Sequence, residues 1–135
     1  KLGKDIHAPG FYLHISPENC HLGSGIWRPD SRTLKKIRSF IADNPNAWKE
    51  TVSKFKEKNQ FNGWRLVGGS LKRSPLGFEK DHPAIEDLKR IDFLLQKKIK
   101  IEQIMERDFL VFLGQVFADT SEFVEYLCLA INIEF

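Results

Sequence analysis

The residues of this chain whose types could do chemistry are four histidines, two cysteines and a few glycine-containing turns. The histidines are His7, His14, His21 and His82, and no pair of them has the spacing of a helical metal motif. His14 and His21 fall on opposite arms of an expected β-hairpin, where they would be neighbours. Two imidazoles so placed can hold a metal together with a carboxylate. Alternatively, one is a surface side chain and the other a satisfied polar group. The second reading is adopted, and neither a metal nor a cofactor is expected. His82, before Pro83 at a helix start, is a candidate acid/base, an anion ligand or a turn residue. Gly68-Gly69-Ser70 lacks the Gly-Lys-Ser/Thr ending of a phosphate-binding loop. It can still form a concave backbone site for an anion, with Lys72 and Arg73 close behind, or simply a tight turn followed by two solvated cations. Gly23-Ser24-Gly25 misses the third glycine of a dinucleotide fingerprint. Cys20 reads as an exposed turn residue and Cys128 as a small core residue.

The elements that must position these groups follow from periodicity. Phe11 to Ile15 is β-prone, Ser16-Pro17-Glu18-Asn19 is a turn cluster, and a second strand runs from His21 to Trp27. Asp30 and Ser31 offer helix caps, and Leu34, Ile37 and Ile41 recur at helical spacing. Asn44 and Pro45 start another helix, with Trp48, Val52 and Phe55 on one face. Short strands are expected near 64–67 and 92–98, and a short helix after Asp81-His82-Pro83 with Ile85 and Leu88 inward. The last third is helical, with Asp119-Thr120 capping the final helix. Few strands and several helices, not alternating as βαβ units, give an α+β fold: a small antiparallel sheet packed with amphipathic helices.

Composition bounds the class. At 135 residues, with 41% hydrophobic and 29% charged, the chain suits one globular domain and not a disordered one. No apolar run approaches the roughly 18 residues that span a membrane. No membrane partner is expected, and the expected location is cytoplasmic. Charge is uneven: after Lys100, Arg107 is the only basic residue against Glu102, Glu106, Asp108, Asp119, Glu122, Glu125 and Glu134. Either a cationic part binds anions, or basic and acidic halves fold against each other. With a pI of about 8.9, nucleic acid must be considered, and Phe11, Tyr12, Trp27 and Trp64 are candidate stacking surfaces.

Several segments in order resemble one family. They are Ala8 to Ile15, Gly23 to Pro29, Leu34 to Ile41, Ser70 to Phe78, and Asp81 through Lys89. Together they resemble a conserved hypothetical family of bacteria and fungi classed as a domain of unknown function. Its signature is Arg-x-x-Arg-Asp-x-Arg-Phe followed by Asp-Lys-x-Pro-Tyr-Lys. In the family that signature lies upstream of the segment resembling Phe11 to Ile15, and it is absent from this chain. The resemblance therefore implies a single domain over residues 1–135 that is the C-terminal portion of a longer protein. It implies an α+β fold and no established activity, and it places Lys72, Arg73, His82 and Lys89 in recurrent motifs.

These readings converge on an anionic-ligand-binding domain, for a phosphorylated metabolite or nucleic acid. The expected contacts are Lys72, Arg73, His82 and Lys89, with Tyr12, His14 and Arg38 added. One alternative is a hydrolase or transferase using His82 or His14 as acid/base. Another is an interaction module or homo-oligomer using the C-terminal helices, for which an exposed Phe109, Phe112, Phe117 and Phe123 patch would speak.

Overall fold

A computed structural model describes residues 8–56 and 61–134, so His7 lies outside the described residues. Strand β1 (Gly10–His14) turns through Ser16 to Asn19 into β2 (Cys20–Ile26). Helices α1 (Ser31–Asp43) and α2 (Pro45–Lys56) follow, then β3 (Arg65–Val67), α3 (Ile85–Leu88) and β4 (Phe93–Ile99). The chain closes with α4 (Ile101–Ile104), α5 (Phe109–Ala118) and α6 (Ser121–Ala130). The sheet is antiparallel throughout, in the order β1-β2-β4-β3. The expected α+β fold is the one observed.

Alternation along the strands sorts the sheet into two unlike faces. Leu22, Ile26, Phe93 and Leu95 share one face, all fully buried against α1, α2 and α6. The apolar stripes of the helices supply the other side: Leu34, Ile37 and Ile41 from α1, Trp48, Val52 and Phe55 from α2, Phe123 and Leu127 from α6. Trp48 is the centre of this core, its ring 5.8 Å from Phe93 and 5.3 Å from Tyr126. The opposite face carries Tyr12, His14, His21, Gln96, Lys98 and Arg65, side chains that are exposed or half-buried.

Local signals acted largely as expected. The Asp30 carboxylate caps α1 by accepting from the Thr33 N–H at 2.8 Å. Pro45 is the first residue of α2. Two expectations need correction. Cys20 is buried, not exposed: its thiol points back under the turn and donates to the Ser16 carbonyl at 3.3 Å. Thr120 does not cap α6 with its side chain. Its hydroxyl lies 2.7 Å from that of Ser24 and donates within 2.9 Å of the Phe117 carbonyl, so two buried hydroxyls satisfy each other across the core.

Candidate functional site

Helix α1 turns Lys35, Arg38, Ser39, Ala42 and Asp43 towards the loop from Leu76 to His82. Between them lies a cleft of about 710 Å³. Arg38 forms its floor. It sits at i+4 from Leu34 and i−3 from Ile41, within the apolar stripe, so helix geometry drives its stem into the core while the guanidinium stays at the surface of the cleft. One guanidinium nitrogen, Nη2, donates to the Arg90 carbonyl at 3.0 Å. Nε is buried with no partner among the described residues. Burial pushes the group down from its ordinary value. A guanidinium normally titrates so far above neutrality that Arg38 remains a cation. Lys35 stands one helical turn earlier on the same rim, and Ser39 adds a hydroxyl. The exposed Leu76 and the half-buried Phe78 form the far wall.

His82 also lines this cleft, but its ring is committed to the backbone. Nδ1 accepts from the Ala84 N–H at 3.0 Å, which puts the proton on Nε2, 3.3 Å from the Ala42 carbonyl. The imidazole thus ties the end of α1 to the segment before α3. The His14 ring stacks on the His21 ring, 4.6 Å away, as hairpin pairing implied. Neither imidazole touches a nucleophile or a carboxylate among the described residues, so the acid/base roles considered for them gain no geometric support.

The remaining expected ligands separate. Lys72 and Arg73 are exposed, make no ion pair or hydrogen bond among the described residues, and do not line the cleft. Lys89 pairs with Glu86 at 3.0 Å. Backbone bonds from Leu71 to Lys89 (2.7 Å) and from Ile91 to Gly69 (3.0 Å) hold the Lys72 loop beside the segment that receives Arg38. Tyr12 and His14 lie on the other side of the sheet, away from the cleft. The Gly68-Gly69 turn is not an open anion site. The Asp92 carboxylate, 4% exposed, already fills it, accepting from the Gly69 N–H at 3.1 Å and the Arg28 N–H at 2.8 Å.

A second groove, between α2 and residues 83–87, is floored by Asp87. It offers a ligand little, because Asp87 is already bonded to Trp48 Nε1 (2.8 Å), Lys56 and Arg90 Nε (3.1 Å). Burial alone would raise the Asp87 carboxyl. The hydrogen bonds from Lys56 and Trp48, with help from Arg90, outweigh it and hold the group below the ordinary carboxylate range. Among the described residues no three His, Cys, Asp or Glu side chains gather as a metal site, and no helix is long and apolar enough to cross a membrane.

Sequence reasoning missed Lys35, Ser39 and the Asp87 cluster. The i, i+3 spacing of Lys35 and Arg38 was a readable sign of a shared helix face. Nothing local marked Asp87. No curated protein and no solved structure matches the chain. A family model described as Conserved hypothetical protein (DUF2461) matches residues 1–126, nearly the whole chain, in agreement with the resemblance carried by its ordered segments. The chain therefore belongs to the DUF2461 conserved hypothetical family.

Proposed function

We propose that this chain is an anionic-ligand-binding domain and that its ligand, a phosphorylated metabolite, sits in the cleft between α1 and the 76–82 loop. The observation that supports this is Arg38: a guanidinium on a cleft floor, carried on a buried stem, with its Nε unpartnered among the described residues and Lys35 beside it. A planar cation held this way suits a phosphate or carboxylate, whose oxygens accept two parallel N–H bonds. The test is thermal unfolding against a panel of phosphorylated metabolites and their unphosphorylated counterparts. A ligand at a hundred times its Kd adds about 2.7 kcal/mol of apparent stability. The expected result is a rise in Tm of several degrees with phosphorylated members alone, weakened about tenfold in affinity by Lys35→Ala and further by Arg38→Lys. No shift from any member, or equal shifts in the two variants, would overturn the reading.

A second reading, a homo-oligomer, is favoured by the sheet edge and α5. Phe123 is fully buried, while Phe109, Phe112 and Phe117 are half-buried. Exposure falls instead on Leu110 (81%) and Val111 (61%), in a helix that buries no residue completely. Helix α5 touches β1 through Phe117 and Phe11, whose rings are 4.9 Å apart. The outer edge of β1 carries no Lys or Pro to discourage pairing. A second copy added antiparallel about Tyr12 would set Phe11 opposite Leu13 and bring the two α5 helices together. Sedimentation at tens of micromolar should show a dimer that Leu13→Lys dissociates; a monomer at all concentrations removes this reading.

A further inference from the structure

We propose that the open face of the sheet binds single-stranded nucleic acid, at a site separate from the α1 cleft. Two polar rows of side chains cross this face, beside an apolar third row of Gly10, Gly25, Leu94 and Val67. His14, His21 and Lys98 form one row; Tyr12, Gly23, Gln96 and Arg65 form the next. Strands lie about 4.8 Å apart and like-facing residues about 7 Å apart along a strand, so the rows cover a patch roughly 14 Å wide. No carboxylate belongs to either row. Lys98 and Arg65 are exposed, and their side chains make no ion pair or hydrogen bond among the described residues.

Flat rings accompany the charge. Tyr12 is 40% exposed and lies over Gly23, where a Cβ would stand 3.5 Å from its ring. Glycine there lets the phenol lie against the sheet, leaving a broad ring face at the surface. His14 and His21 stack 4.6 Å apart beside it. Burial, with His14 adding to it, pushes the His21 imidazole down, which favours the neutral ring at pH 7. Of the other aromatic residues considered for stacking, Trp64 is fully buried, Phe11 faces the helices against Phe117, and the exposed Trp27 lies past the end of β2, outside these rows, with the Arg28 guanidinium over its ring.

The shape selects the ligand class. A small molecule needs a concave pocket, and neither groove described above is lined by these residues. A duplex hides its bases, and an acidic peptide offers carboxylates but no planar groups to stack. A single strand offers both phosphates for Lys98 and Arg65 and bases for the rings. An antiparallel sheet with one helix-covered face can stack two or three bases on the other.

The test is fluorescence anisotropy of labelled uridine and thymidine dodecamers with the full chain at 50 and 200 mM salt. Binding is expected at the lower salt. Tyr12→Ala and Tyr12→Leu should each weaken it about tenfold, the range for losing one stacked base, while Tyr12→Phe stays near wild type. The leucine variant keeps apolar bulk over Gly23 and so separates stacking from packing. Lys98→Gln and Arg65→Gln should each flatten the dependence of log affinity on log salt by about 0.7. Arg38→Lys should leave binding unchanged, which distinguishes this site from the cleft. Absence of binding at 50 mM salt, a duplex bound as tightly as a single strand, or indifference to the loss of the Tyr12 ring would each overturn the proposal.

Discussion

Asp87→Ala should lower the stability of this protein by about 3 kcal/mol, read as a shift in the urea midpoint and a fall of about 10 °C in Tm. The size follows from what the carboxylate holds. It accepts from the indole of Trp48, itself 1% exposed at the centre of the core, and from Lys56 and Arg90 on either side. Truncation leaves the indole N–H without an acceptor and two neighbouring cations without a counter-charge, so the loss exceeds that of one hydrogen bond. Lys56 is partly solvated, its side chain 40% exposed, which keeps the figure at the lower end for a broken buried pair. Asp87→Asn keeps an oxygen for Trp48 and should cost about half as much. A loss under 1 kcal/mol for the alanine variant would mean that water replaces the carboxylate without penalty.

The same cluster sets a pH dependence. Because the Asp87 carboxyl is held below its ordinary range in the folded state, the unfolded chain takes up its proton first as pH falls. Its contribution is therefore complete above the unfolded value near pH 4 and disappears as pH drops through the lower folded value. The stability gap between wild type and Asp87→Asn should stay constant above about pH 5 and narrow below about pH 4.

Much of the fold could be read from local pattern because local pattern caused it. Trp48, Val52 and Phe55 are buried along one side of α2, and Leu34, Ile37 and Ile41 along α1, as their spacing required. The site was less legible. Lys35, Lys36 and Arg38 look alike as a basic run on α1, yet Arg38 alone is buried, because it alone falls at i+4 from Leu34 in the inward stripe. The Gly68-Gly69 turn resembled an anion cradle because the group that fills it, Asp92, is 23 residues from Gly69. Cys20 and Thr120 were misjudged for a related reason. Each has a side-chain bond that depends on how the chain folds back, to Ser16 across a tight turn and to Ser24 across 96 residues. Helix α5 turns Phe109, Phe112, Leu113, Val116 and Phe117 towards the core, but the exposed Leu110 and Val111 are apolar too, so composition alone did not separate its two sides.

Gly68→Ala should destabilise the protein by about 3 kcal/mol, while Gly69→Ala, one residue on, should cost about 1 kcal/mol. Two independent penalties meet at Gly68. Its φ of +115° is open to glycine and strained for any L side chain, a cost of about 1–3 kcal/mol. A methyl group there would also stand 2.6 Å from the Asp92 Cβ, an atom fixed by the two backbone bonds its carboxylate accepts. At Gly69 a Cβ would meet the tip of Ile91 at 3.0 Å, the far end of a partly exposed side chain that can turn away. Urea unfolding of the two variants measures the difference directly. Asp92→Gly in the Gly68→Ala background removes the clashing Cβ but not the backbone strain, so it separates the two terms. Reading the destabilisation caused by Gly68→Ala against the Asp92→Gly parent, it should shrink without vanishing. Equal costs at Gly68 and Gly69 would show that the turn relaxes freely, and that Asp92 does not pin the ends of β2 and β3 together through Arg28 and Gly69.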